Sequence, residues 1–346
     1  MKTCVITGGT GFLGCHTAEA FLREGYHVRL FDTRPLDEPS LIGKVEMITG
    51  DIRDRSALDR ACMGADLVIH AAAAFPTHGT AKFIYSVNVG GTENVLEAAR
   101  TAGVRRVIFI SSTTVYGLQE GRGQKEETFF APIDPYAETK IIGERLFLDA
   151  WKKHHLETVI LRPKTIIGPG RLGAFQILFE WIANSGAVFI LGDGKNVIQL
   201  LAVEDFVSAI VLGSRAPCSG EIFHFGTNQY RTVREDLSDL IGHAGTSSRL
   251  VFIPRVPAEA ILSVLYGLRL SPLAAWQYKS ASQDATVNTD KAKLMFSWTP
   301  RFSNFLTMRN NYDWYVRNRT ELKKKRGNTH RDVWNLKLMK ILEWIS

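Results

Sequence analysis

Along the first half of the chain, apolar residues fall in short unbroken runs at 3–7, 27–31, 45–49, 67–71, 107–111 and 158–161. The runs lack the in-out alternation of a half-solvated sheet and read as strands covered on both faces. The stretches between them, at 12–23, 57–62, 83–101 and 136–153, carry a helical spacing of apolar positions instead. Strand and helix alternating at this interval predict βαβ units and an α/β fold built on a parallel sheet.

After Pro163 the rhythm changes. Gly168-Pro169-Gly170 interrupts the chain, and a helix near 175–184, further strands and a very apolar stretch at 257–270 follow. One regular and one irregular half predict a cofactor domain over 1–165 and a smaller mixed α/β substrate lobe over 166–314. Some lobe segments are expected to return to the first domain, and 315–346 reads as a basic amphipathic tail. No internal repeat or low-complexity tract interrupts this organisation.

Composition narrows the class. At 346 residues, 45% hydrophobic and 22% charged, the chain can bury a large core and is not disordered. No apolar run approaches the roughly 18 to 20 residues that span a bilayer. Met1-Lys2 leads directly into Cys4-Val5-Ile6-Thr7 without the apolar region of a signal peptide, so a cytoplasmic protein is expected. Cys4, Cys15, Cys62 and Cys218 form no CxxC pair, which fits buried or free thiols in a reducing compartment. His154 and His155 lack companions at ligand spacing, so no metal site is expected. The net charge is +7, but nine Lys/Arg against three Asp/Glu in 315–346 account for +6 of it. The body is nearly neutral, which argues against a nucleic-acid partner.

Candidate chemistry begins at Gly8-Gly9-Thr10-Gly11-Phe12-Leu13-Gly14, between the first strand and the first helix. Gly8, Gly11 and Gly14 there permit a tight turn and close approach of a diphosphate to the helix N-terminus. Asp32 ends the second strand, placed to accept both hydroxyls of an adenosine ribose and to repel a 2′-phosphate. NAD is therefore preferred to NADP, although Arg34 is placed to reach a 2′-phosphate. Gly50-Asp51-Ile52 after the third strand can flank an adenine edge, or be an ordinary turn.

The remaining signal is Tyr136-Ala-Glu-Thr-Lys140, with Ser111-Ser112-Thr113-Thr114 upstream at a strand end. Positions i and i+4 share a helix face, so Tyr136 and Lys140 can enter one cleft. A free tyrosine, with its pKa near 10, is a poor base at neutral pH. A neighbouring ammonium and a cationic nicotinamide stabilise its phenolate. Ser112 can hydrogen-bond a substrate oxygen. A Tyr/Lys pair alone is common on helix surfaces; in this order, after a glycine turn and a serine-bearing strand, it points to a catalytic centre.

With these motifs the chain resembles the extended short-chain dehydrogenase/reductase family, which contains the NAD-dependent epimerases and dehydratases. The likeness runs from Lys2 to about Phe302. It rests on TGGTGFLG, Asp32, GDI at 50–52, HAAA at 70–73, VNVGGT at 87–92, SSTTVYG at 111–117, YAETK at 136–140 and RPKTIIGPG at 162–170. GDGKN at 192–196, AVEDF at 202–206 and DKAK…SWTP at 290–300 extend it. The resemblance implies a Rossmann-type doubly wound sheet with Tyr136, Lys140 and Ser112 as catalytic residues. It places Phe12 and Leu13 over the cofactor diphosphate, Asp51 and Ile52 at the adenine, and Ala72 and Ala73 along the cofactor. Asn88 would bond near the nicotinamide half, Lys140 would hold its ribose and Pro163 would contact the nicotinamide; Ser112 and Tyr136 would touch the substrate alcohol, and Ser111 and Tyr136 also count among the cofactor-binding residues.

Two branches of that family compete. Nucleotide-sugar epimerases carry an arginine after the GDG turn to clamp a diphosphate, whereas 195–201 here has none. A second arginine is missing from 280–288, where only Lys279 stands nearby. The 3β-hydroxysteroid and sterol-4α-carboxylate 3-dehydrogenases share the pattern at 132–141, the GDGKN turn, and an apolar helix after Phe252-Ile253-Pro254. That helix, 258–270, suits an apolar ligand, a membrane surface, or equally a buried or dimer contact. The expected function is hydride transfer from a secondary alcohol of a sterol- or lipid-like substrate. A nucleotide-sugar 4-epimerase or dehydratase is the alternative, and a non-catalytic NAD-binding protein the third reading. A homodimer is expected. The tail, with Lys323-Lys324-Lys325-Arg326 before Trp334, Leu338, Ile341 and Ile345, suits either peripheral membrane contact or packing on the body.

Overall fold

A computed structural model describes residues 1–76, 79–119, 121–171, 174–267 and 281–322. Strands β1 (Thr3–Thr7), β2 (His27–Asp32), β3 (Glu46–Thr49), β4 (Leu67–His70), β5 (Arg106–Ile110) and β7 (Glu157–Pro163) form one sheet. They are joined there by β11 (Glu221–Phe225), which comes from the later half of the chain, while the short strands β6 (Gly121–Gln124), β8 (Thr165–Ile167), β9 (Ala187–Leu191) and β10 (Leu200–Ala202) lie outside it. All pairings are parallel, in the order β11-β7-β5-β4-β1-β2-β3. The order reverses between β1 and β4, which opens a crevice beyond their carboxyl ends, where doubly wound sheets take their ligands. This is the Rossmann-type arrangement that the alternating pattern and motifs predict.

Successive residues of each central strand enter opposite faces of the sheet. Ile6, Ile69, Ile108 and Leu161 pack with Phe21 of α1 (Phe12–Arg23) and Phe206 of α7 (Val203–Gly213). Their neighbours Val5, Val68, Val107 and Ile160 pack against α2 (Arg55–Cys62), α4 (Gly91–Thr101) and α5 (Pro135–His154). Burial on both sides explains why these strands show no polar alternation. A separate apolar cluster, with Phe179, Ile182, Ile190, Leu200, Leu240 and Tyr312, joins α6 (Ala174–Ala183) and α8 (Val233–Ala244). The helix Asn304–Leu322 completes that cluster.

Three expectations change. The helix read over 83–101 starts at Ala81 and is interrupted by a π turn, Ser86–Gly90, between α3 (Ala81–Tyr85) and α4. The wider turn carries Asn88, whose side chain is drawn into bonds with Ala74 and Thr139. The tail does not begin at 315, because the final helix continues to Leu322 with Tyr315 and Leu322 buried. Tyr315 donates to Glu180 at 2.5 Å, and Arg319 pairs with the same carboxylate at 2.6 Å, which fastens that turn to α6. Residues 323–346, where the basic amphipathic segment was read, lie outside the described residues. The third concerns α9 (Arg255–Gly267), whose Val256, Ile261 and Val264 are 79%, 61% and 63% exposed, so that face of the apolar helix is not core. Among the described residues no helix is long and apolar enough to cross a membrane, and no group of three His, Cys, Asp or Glu is placed to hold a metal.

The segment after residue 285 is fastened back onto the sheet by Trp298, which is 2% exposed and packs edge-on against Phe225 at 5.0 Å. Its Nε1 donates to the Asp205 carbonyl at 3.0 Å. Trp298→Ala should therefore cost about 3–5 kcal/mol. Guanidinium unfolding is expected to show a lowered midpoint at unchanged slope; a midpoint within error of the parent would mean this contact is not a clasp.

Candidate active site

The glycine turn leaves β1 at the switch point. Gly8 holds φ +70°, and a Cβ on it would lie 2.9 Å from the backbone of Ala72 at the exit of β4. A Cβ on Gly14 would lie 2.3 Å from the Gly8 carbonyl oxygen and 2.6 Å from that of Gly9. These contacts close the turn onto the first turn of α1. Gly11 is the N-cap, no side chain caps the helix, and its first turn has no acidic residue. The unpaired N–H groups and the positive end of the dipole thus face the crevice. Phe12 and Leu13 open the helix, with Phe12 buried.

Asp32, at the end of β2, accepts from the Thr10 N–H at 3.1 Å and from the Arg34 N–H at 3.2 Å. The acid therefore holds the loop as well as standing at the ribose position. Asp51 is bridged to Arg53 at 2.6 Å, which holds its carboxyl below the ordinary range despite partial burial. Ile52 is buried against Gly91 of α4, where a Cβ would come within 2.4 Å of its side chain. A cradle in which added Cβ atoms would collide, ending on an uncapped helix with an acid across from it, fits a dinucleotide. Gly8, Gly11, Phe12, Leu13 and Gly14 would hold its diphosphate and Asp32 its adenosine ribose.

On the far side of the crevice, Asp134 caps α5 by accepting from the Ala137 N–H at 2.8 Å, with Pro135 in the first turn. Tyr136 is thereby set at the helix entrance. It is buried, with its ring stacked on Phe75 at 4.8 Å between centroids. Lys140, one turn further, is buried; its Nζ lies 5.6 Å from the Tyr136 ring centroid, 4.7 Å from that of Phe109, and donates to the Ile110 carbonyl at 2.6 Å. Burial brings its pKa down to about 7, opposed by the charge of Glu144. Burial, with the charge of Asp134, pushes the Tyr136 phenol well above its ordinary range, and Arg171 opposes them.

Ser112 lies just beyond β5 and caps the short turn Thr113–Tyr116. Its oxygen accepts from the Thr114 N–H at 3.2 Å and from the Thr114 hydroxyl at 3.0 Å. Both acceptor positions are filled, so its own proton is the group left to offer to a ligand oxygen. Ser111 and Asn88 are differently placed from a simple cofactor lining. The Ser111 hydroxyl donates to Glu144 at 2.5 Å. The Asn88 amide donates to the Ala74 carbonyl and to Thr139, both at 3.0 Å, and accepts from the Ala74 N–H at 2.7 Å. Both side chains brace the walls of the crevice. Ala72 lies against Gly8 and Ala73 follows it, while the Pro163 carbonyl accepts from the Thr113 hydroxyl at 3.3 Å.

Beneath this surface runs a buried polar chain that the motifs did not reveal. Glu144 meets Arg162 through two bonds of 2.7 and 2.6 Å, and Arg162 also donates to Tyr116. The Tyr116 hydroxyl meets His224 Nε2 at 2.6 Å. Burial first, then the charge of Arg162, takes His224 down to about 3, so it is a neutral spacer. His70 is likewise neutral, at about 3, and bridges Thr7 and Thr92 at 2.8 and 2.9 Å. The sequence signal for the pair was available: Glu144 follows Lys140 by one turn on the same face, and Arg162 precedes the marked Pro163.

The turn geometry makes a direct prediction. Gly14→Ala must open the loop away from the Gly8 oxygen and should weaken NAD at least about tenfold, some 1.4 kcal/mol, while the circular dichroism of the fold persists. Undiminished binding, read by quenching of tryptophan fluorescence, would place the diphosphate elsewhere.

Comparison with known proteins gives this geometry its setting. The model of the NAD dependent epimerase/dehydratase family matches residues 4–226. A Sinorhizobium fredii protein, y4nG, is 32% identical over 99% of this chain and 86% of its own length. The human sterol-4-alpha-carboxylate 3-dehydrogenase, decarboxylating, is 35% identical over 66% of this chain. The match takes in 63% of the human protein, so the chain spans less than two thirds of that relative's length. Among solved structures, the UDP-glucose 4-epimerase of Thermotoga maritima superposes with a TM-score of 0.76 at 22% identity, over 91% of this chain and 99% of that one. That likeness concerns the fold. The glycine turn, the parallel order of the sheet and the family match together lead to one statement: the chain belongs to the NAD-dependent epimerase/dehydratase family.

Proposed function

We propose that this NAD-dependent enzyme withdraws hydride from a secondary alcohol of an apolar, sterol- or lipid-like substrate, with Tyr136, Ser112 and Lys140 as its catalytic residues. One observation carries the reading. A buried phenol and a buried ammonium 5.6 Å from its ring share one helix face at the carboxyl edge of the sheet, beside a serine whose proton is free. Tyr136 takes the hydroxyl proton of the alcohol. Ser112 donates to the oxygen as it becomes a carbonyl. Lys140, held by Ile110 and countered by Glu144, keeps positive charge beside the phenolate that the Tyr136 step requires. NAD, when bound, supplies the hydride acceptor.

Two features support an apolar substrate over a nucleotide sugar. Residues 195–201 contain no arginine, and the one cation there, Lys195, is exposed beside Asp193 at 3.6 Å. A diphosphate is held best by bidentate arginines. The human relative, by its name, acts on a sterol whose carboxylate sits on the carbon next to the oxidised one. From a ketone with that neighbour, the carboxylate departs as carbon dioxide and the carbon takes up a proton. The exposed Val256, Ile261 and Val264 of α9 would suit the surface of a membrane that holds such a substrate, with the basic segment after residue 322 as a second contact.

Tyr136→Phe should lower turnover about 100- to 10,000-fold while NAD binding survives; near-parental turnover, followed as NADH absorbance with hydroxysterols, moves the base elsewhere. Net NADH accumulation is expected, and product without it would favour an epimerase. In sedimentation with anionic vesicles at low salt, the full chain should pellet and a version ending at Glu321 should pellet less. Equal recovery of both in the supernatant removes the membrane contact from the proposal.

A further inference from the structure

The glycine turn has no cation of its own for the cofactor diphosphate, since residues 8–14 contain no lysine or arginine. A dinucleotide carries one negative charge on each phosphate, whereas a helix start supplies only about half a positive charge. Asp32, which accepts from the Thr10 N–H at 3.1 Å, adds negative charge to the same loop. Backbone N–H groups there can bind phosphate oxygens, but the charge they meet is only partly balanced.

One cation is built against that loop from outside the seven-stranded sheet. Arg171 ends the turn after β8, where its backbone N–H donates to the Gly168 carbonyl at 3.0 Å. His16 of α1 meets the Pro169 carbonyl at 3.0 Å, which fastens the turn to the helix of the glycine motif. A Cβ at Gly168 would stand 3.7 Å from the Phe12 ring, and one at Gly170 3.9 Å, so the turn lies directly on that ring. Asn311 of the final helix donates to the Arg171 carbonyl at 3.5 Å, so a second element holds the same backbone.

The Arg171 guanidinium sits over Phe12, the first residue of α1, with its carbon 5.5 Å from the ring centroid. The ring is a flat apolar seat that leaves the donors of the planar fork to meet another group. Among the described residues no carboxylate pairs with Arg171, and no acceptor is bonded to its guanidinium. Arg53, Arg162 and Arg319, by contrast, are paired with Asp51, Glu144 and Glu180. Arg171 is half-buried, and burial takes its pKa down to about 10, so it stays a cation at neutral pH. A cation kept from full hydration without an internal partner is costly unless a ligand completes it. An anion seated at the start of α1 arrives beside it.

We infer that Arg171 is a further cofactor-binding residue, whose guanidinium pairs with the NAD diphosphate beside the glycine turn. A planar fork suits phosphate oxygens through parallel N–H···O bonds, and the backbone N–H groups at the uncapped start of α1 serve the others. The bound cofactor then ties the loop after β1 to the turn after β8, in addition to the His16 contact. This role is independent of which alcohol the enzyme oxidises.

The test needs only the cofactor and its fragments, with binding to the full chain read by calorimetry. In Arg171→Gln, NAD and ADP-ribose, which share the diphosphate, should each bind about ten- to a hundredfold more weakly, the range of a charge-assisted pair. Adenosine, which lacks the diphosphate, should bind variant and parent alike, and so also shows that the variant is folded. Arg171→Lys should keep part of the affinity, since the charge remains and the fork is lost. The gap between parent and Arg171→Gln should narrow as salt is raised, because a pair that is not fully buried is screened. Parental NAD affinity in Arg171→Gln overturns the inference. So does a loss for NAD with ADP-ribose unchanged, which would assign the guanidinium to the nicotinamide half. An equal loss for adenosine overturns it as well, since the whole pocket, and not a diphosphate contact, would then have changed.

Discussion

The bidentate pair between Glu144 and Arg162 lies under the whole active centre, with the two side chains 2% and 1% exposed. Placing two charges there costs several kcal/mol for each ion, and leaving either one alone would cost about 3–5 kcal/mol. The pair is therefore sustained only with its hydrogen bonds complete, and completing them dictates where several elements sit. Glu144 fixes the height of α5 against Ser111 beyond β5. Arg162 fixes β7 and, through Tyr116, the turn that bears Ser112. Tyr116 continues to His224 on β11, so a strand from the later half of the chain is keyed into the same network.

That network explains which groups in the crevice are free to act. Ser111, Asn88 and the Lys140 ammonium point into the fold and have protein partners. Ser112, one residue beyond Ser111, faces the other way and retains a proton to donate. Adjacent residues of an extended chain face opposite directions, so a single step along the backbone separates a bracing serine from a reactive one. The same logic distinguishes the two histidines of the sheet. His70 and His224 are enclosed, neutral and bonded on at least one ring nitrogen, so they act as pins rather than proton carriers.

Electrostatics in the crevice are unfavourable to charge until something fills it. Burial raises the Tyr136 phenol and lowers the Lys140 ammonium, and each works against the ionised form that the chemistry needs. Glu144 and Arg171 act in the opposite sense, one on each group. A positively charged cofactor ring, when bound, would favour the phenolate further. The free protein thus disfavours the charged form of both groups, and ligands complete the balance.

Much was determined by local patterning alone. Unbroken apolar runs require two covered faces, and their alternation with helices admits few layouts besides a parallel sheet. The glycines of 8–14, the acid at Asp32 and the Tyr136/Lys140 spacing are short-range features, so their chemistry is written within one turn or one strand end. The order of strands, the return of β11, and the pairing of Glu144 with Arg162 depend on contacts between distant segments. So do the π turn at Asn88, imposed by Ala74 and Thr139, and the burial of Tyr315 against α6. Arg171 is the clearest case: in the sequence it is one arginine after a Gly-Pro-Gly break. Only the tertiary structure sets it over Phe12 without a carboxylate partner among the described residues, because the partners a charge finds are decided by which surfaces fold together.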